Sequence, residues 1–127
     1  MRPVVTVLLT ISTAFTCDLT AKLLSESNEP VWAQFLFHNG TESPVYEFKS
    51  KDSNHTVNIM GSPCNMKPTV LKSYKEKPGR DSKPLGESSA FIEGVGMLDY
   101  QIYANSPPRM GMRLGVSCGF GDCGARG

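Results

Sequence analysis

The sequence holds little of what transmembrane proteins, metalloproteins and nucleic-acid binders need. No apolar stretch approaches the ~20 residues that a helix requires to cross a bilayer. Thirteen basic residues face twelve acidic ones, for a net charge of +1. That balance excludes a globally basic nucleic-acid binder and an acidic tail protein, so no nucleic-acid partner is expected. The two histidines and four cysteines form no C-x-x-C, no H-x-x-x-H and no other ligand cluster. Neither a metal nor another cofactor is therefore expected. Long helices are disfavoured as well, since 12 Gly and 9 Pro are spread over only 127 residues. A chain of that length has room for one small domain.

What is there begins with an order of residues. Met1-Arg2-Pro3 carries one positive charge, an apolar core follows from Val4 to Ile11, and small residues run from Ser12 to Thr16. This is the pattern of a secretory signal peptide over 1–16, leaving a secreted domain over 17–127. Cleavage fits after Ala14 or after Thr16, with the second favoured. Two further features agree with an extracellular location. Asn39-Gly40-Thr41 and Asn54-His55-Thr56 match the N-glycosylation pattern, and Cys17, Cys64, Cys118 and Cys123 are even in number, as an oxidised framework requires. Their pairing stays open. Cys118 can close on Cys123 around a glycine-rich turn and leave Cys17 for Cys64, or Cys64 can cross to the last strand.

Beyond the leader the patterns are short and alternate. Residues 31–38 form an apolar, aromatic run between Glu29-Pro30 and Asn39-Gly40, which reads as a buried strand. Asn39-Gly40 is a hairpin signal leading into a strand over 45–49. Further strands are expected over 19–27, 55–60 (Val57 and Ile59 inward), 69–74, 89–92, 97–103 and 110–117. In the last, Met112, Leu114 and Val116 share a core-facing side. The expected fold is all-β, a small antiparallel β-sandwich of about seven or eight strands. Trp32, Phe35, Phe37, Tyr46, Phe48, Leu98, Tyr100 and Ile102 should supply most of its core.

Candidate chemistry is sparse. Gly115-Val116-Ser117-Cys118-Gly119 matches the G-x-S-x-G nucleophile elbow, but that elbow needs a strand-to-helix turn and a histidine later in the chain. Both His38 and His55 precede Ser117, so the match reads as a glycine-rich strand end and no enzymatic activity is expected. The two histidines read as surface residues. Met110-Gly111-Met112 has a copper-like spacing that core packing explains as well. Charge is more informative, because residues 17–62 carry three lysines against six acids, whereas 63–127 carry nine basic residues against six acids. Lys67, Lys72, Lys75, Lys77, Arg80 and Lys83 cluster around a stretch without periodicity, and form a candidate surface for an acidic protein, a glycan or anionic headgroups.

Gly94-Val95-Gly96-Met97-Leu98-Asp99-Tyr100-Gln101-Ile102, followed by Met112-Arg113-Leu114-Gly115-Val116-Ser117, resembles part of the actinoporin-like cytolysin family. Trp32 ahead of Gly40-Thr41 and the Leu71-x-x-Tyr74 strand extend the resemblance over about residues 20–120. It implies a β-sandwich that docks on phosphocholine headgroups, with Val95 and Ser117 at positions lining the headgroup pocket. Gly119 stands where the family has proline and Asn39 where it has serine. The family's aromatic-rich strand and its amphipathic helix have no counterpart here, so pore formation is not expected. The expected function is thus a secreted, non-enzymatic binding protein for a membrane surface or phosphocholine headgroup. The alternative is an interaction protein that meets an extracellular protein or glycan through its 67–83 region.

Overall fold

The computed structural model describes residues 17–61, 64 and 66–124; the expected signal peptide at 1–16 lies outside them. The fold is all-β. Seven strands follow in order, β1 (Cys17–Ser25), β2 (Val31–Leu36), β3 (Tyr46–Phe48), β4 (Asn54–Gly61), β5 (Thr69–Tyr74), β6 (Gly86–Ile102) and β7 (Arg109–Gly121). They form one sheet in the order β3-β2-β5-β6-β1-β4, with β7 added to the free flank of β6. The sheet folds over into a nearly barrel-shaped body.

The fold turns on β6. The two strands expected over 89–92 and 97–103 are one strand of 17 residues. Its first part pairs with β5, from Ser73↔Gly86 to Thr69↔Ala90. Its last nine residues pair on the same flank with β1, from Cys17↔Gly94 to Ser25↔Ile102. β7 runs antiparallel along the opposite flank of both parts. Residues 91–93 therefore form a corner that carries β6 from the β3-β2-β5 half of the sheet to the β1-β4 half. The β1–β6 pairing is parallel, so the sheet is mixed rather than wholly antiparallel. A hairpin reading cannot reveal this, because the two partners lie more than 70 residues apart.

At the far side of the sheet, β3 and β4 approach each other without forming a ladder. The His55 ring sits 5.0 Å from Tyr46 and 4.9 Å from Phe48, and its Nε2 is 2.9 Å from the Glu47 carbonyl oxygen. His38, just past β2, is buried, and a Cβ at Gly61 on β4 would run into its ring. Both histidines thus line the seam instead of the open surface. The charge-neutral form of imidazole is amphipathic enough to fill such a position.

Strict alternation builds the core. Leu19, Ala21 and Leu23 of β1, and Val31, Ala33 and Phe35 of β2, all point inward and are fully buried. Val57 and Ile59 face inward as expected, and Phe48, Leu98, Tyr100 and Ile102 join them. Fully burying each large apolar side chain contributes roughly 1.5–3 kcal/mol. Three expected core residues differ. Trp32 alternates with Val31 and Ala33, so it lies on the outer face, half-exposed beside Tyr74. Phe37 and Tyr46 are only partly buried against the core. The β2–β3 turn forms at Asn39-Gly40, with Gly40 at φ 88° and Gly40 N–H donating to the Phe37 carbonyl.

Two disulfides close the framework, Cys17–Cys64 and Cys118–Cys123. The first ties the start of β1 to the chain beyond β4. The second closes the glycine-rich end of β7.

Candidate functional site

The most unusual surface is the outer side of the β6–β7 pair. Register shifts interrupt this pair at Phe91/Ile92, Gly94/Met97 and Leu98/Tyr100. Each shift resets which side chains point outward. Glycines make the shifts possible. A Cβ on Gly96 would collide with the Leu114 carbonyl oxygen, and Gly115 holds φ 76° with its own side-chain position against the Val95 carbonyl. The strands therefore press together backbone to backbone, and the apolar side chains around them are turned outward.

The result is an exposed apolar face. Val95 is 70% exposed, Met97 50%, Met112 61% and Leu114 56%, all on the outer side of two adjacent strands. Met97 lies directly opposite Leu114, and the Met112 N–H donates to the Asp99 carboxylate at 2.9 Å. Phe120, 72% exposed, continues the face around the corner, where it packs against Phe91 at 6.2 Å. Isolated exposed apolar residues are ordinary, but a contiguous group of this kind marks a contact surface. The expectation that Met112 and Leu114 share a core-facing side with Val116 is corrected here. Met110 and Val116 are buried, Met112 and Leu114 are not, because the bulges break the alternation between them. Met110 and Met112 point to opposite sides and make no copper-binding pair.

Val95 and Ser117 fall within this face. Ser117 is exposed and lies opposite Glu93, and Val95 is two residues further along β6. The structure brings them to one surface. The strand continues past Ser117 to Gly121, so no strand-to-helix turn lifts the serine as an elbow would require.

The basic residues divide. Lys75, Lys77, Arg80 and Lys83 are exposed on the connection between β5 and β6. Lys75, Lys77 and Lys83 line a pocket of about 380 Å³ floored by Tyr74 and Leu85, with Glu76 also on its wall. Burial pushes the Tyr74 phenol up, and Glu42 and Glu87 add to that. Lys72 is half-buried within β5, and Lys67 precedes β5 at its other end. Six strand residues separate Lys67 from the loop, so the six cations do not form one cluster.

Both glycosylation signals are exposed. Asn39 sits in the β2–β3 turn, where its Oδ1 accepts from Thr41 N–H at 3.1 Å and from the Thr41 hydroxyl at 2.7 Å. Asn54 opens β4, its Nδ2 donating to the Asp52 carbonyl at 3.3 Å. Comparison with protein-family models, with curated proteins and with solved structures finds no match to this chain.

Reading residues alone missed Met97, Met112 and Leu114 as surface groups. The signal that could have found them is the glycine spacing. Gly94, Gly96, Gly111 and Gly115 interrupt two otherwise alternating strands, and isolated glycines in strands mark bulges and close backbone approach.

Proposed function

We propose that this chain is a secreted, non-enzymatic binding protein that docks on a membrane surface through the outer face of β6 and β7. The observation that carries this reading is the contiguous exposure of Val95, Met97, Met112 and Leu114, extended by Phe120. Unbranched methionines and a phenylalanine suit an irregular lipid boundary, where they gain apolar burial without a fixed partner shape. The flanking charges are mixed, with Asp18, Lys22, Glu93 and Asp99 on neighbouring outward positions. That arrangement favours a zwitterionic surface, such as one of phosphocholine headgroups, over a strongly anionic one. The resemblance to actinoporin-like cytolysins points the same way through Val95 and Ser117. The pairing of all four cysteines and the exposure of Asn39 and Asn54 support an oxidising, extracellular setting and glycosylation.

The test is flotation of the oxidised domain with phosphatidylcholine vesicles, with and without sphingomyelin. Binding is expected, and the Met97→Ser/Leu114→Ser double variant should lose at least about tenfold in affinity, since two large apolar side chains leave the contact. Sphingomyelin dependence would extend the resemblance to headgroup choice. Absence of flotation with either vesicle overturns the membrane reading. It would leave the second reading, a soluble acidic protein or glycan held by the 75–83 loop, which the three lysines around one pocket favour. In that case retention on a sulfated-polysaccharide column should fall steeply with salt.

A further inference from the structure

The bend in the β6–β7 pair creates a second feature, remote in chemistry from the apolar face. A groove of about 1170 Å³ opens between the two ends of β7. Glu87 and Ser88 enter it from the start of β6, Gln101 and Tyr103 from its end, Arg109 from the start of β7 and Asp122 from beyond its end. The ends are held together by close packing. A Cβ on Gly86 would stand 2.8 Å from the Cα of Pro107, and Gly124 lies against the Met110 carbonyl.

The polar groups in this groove are largely unspent. Ser88 is only 2% exposed, yet its hydroxyl has no partner. Buried polar groups are nearly always satisfied, so one that lines a groove and is not satisfied points to a ligand. Asp122 uses one carboxylate oxygen, Oδ2, to accept from Ser89 N–H at 3.0 Å, which fixes its direction and leaves Oδ1 available. Among the described residues, the side chains of Glu87, Gln101, Tyr103 and Arg109 take part in no hydrogen bond or ion pair.

We propose that this groove binds a neutral carbohydrate longer than one ring. Carboxylates and a guanidinium stand in the same site, so a ligand with strong charge of either sign would meet repulsion as well as attraction. A ligand rich in hydroxyls suits the set, because each hydroxyl both donates and accepts and can pair with carboxylate, amide, guanidinium and Ser88 alike. The Tyr103 ring and the neighbouring Pro107 and Pro108 supply apolar surface for the C–H face of a sugar ring. The volume lies at or above the upper end of ordinary small-molecule sites, about 300–1,000 Å³, which sets the length beyond a monosaccharide.

The experiment is a titration of the isotope-labelled domain with maltose, cellobiose, lactose and N,N′-diacetylchitobiose, followed by amide NMR shifts. At least one disaccharide is expected to shift Ser88, Gln101, Tyr103, Arg109 and Asp122 together. No shift up to about 10 mM of any of them, or shifts confined to other surfaces, overturns the proposal. Ser88→Ala should weaken the productive disaccharide about tenfold while leaving thermal stability unchanged or raised, because the hydroxyl it removes has no partner to lose. Gln101→Ala, at a half-exposed position, should weaken binding with the fold intact. Unchanged binding in both variants places the sugar elsewhere and defeats the assignment.

Discussion

His38 lies just beyond β2 with its ring against the backbone of Gly61, and burial holds its pKa below the ordinary imidazole value. Its Nδ1 is buried without a partner, so a second ring proton would have no acceptor there. Below about pH 6.5 the unfolded chain takes up a proton at this position that the folded chain resists. Stability should therefore rise with pH through that window and fall on acidification from pH 7 toward about pH 5. Thermal melts across this range check the slope, which should flatten in His38→Gln. Glycine gives a second test on the same scale. Gly115→Ala combines a left-handed backbone with a clash against the Val95 carbonyl, and should cost about 1–3 kcal/mol. Gly119→Ala meets open space within 4 Å and should change stability by less than about 0.5 kcal/mol. The two melting temperatures, measured side by side, separate a close backbone approach from ordinary glycine flexibility.

Among the elements, most strands were legible because their alternation is strict. β1, β2, β4 and β5 keep one face apolar over their whole length, and Val57 with Ile59 could be assigned inward from pattern alone. β6 and β7 were harder, for a physical reason. Bulges shift the phase of alternation midway along each strand, so Met112 and Leu114 read as partners of Val116 although they face away from it. Trp32 misled in a different way, since aromatic bulk suggests burial while its phase against Val31 and Ala33 places it outside. The candidate site suffered most, because it is built from these bulged positions. The disulfides are also element-scale devices. Cys17–Cys64 spans 47 residues and Cys118–Cys123 only five, and the chain-entropy account gives about 4 against about 2 kcal/mol. Replacing Cys17 and Cys64 by alanine should thus lower denaturant stability more than replacing Cys118 and Cys123, as urea unfolding of the two double variants would show. The burial of both Cys17 and Cys64 widens that gap.

For the molecule as a whole, topology governs how fast order appears. β1 lies between β4 and β6, and β6 also carries β5 and β7, so no half of the sheet is complete by itself. Such long-range pairing predicts refolding in milliseconds to seconds with the disulfides intact, measurable by stopped-flow tryptophan fluorescence from Trp32. The same wiring has a consequence during synthesis. As the chain leaves the ribosome, β1 emerges first and soon meets β4, but its other flank stays open until Gly94–Ile102 appears. β5 waits on the same late strand through Gly86–Ala90. A chain interrupted anywhere before residue 86 would therefore present two unpaired strand flanks at once, the condition under which nascent chains pair with one another. Folding of this protein is in effect gated by the arrival of a single late strand, and its cell must shelter the first two-thirds of the chain until that strand is made.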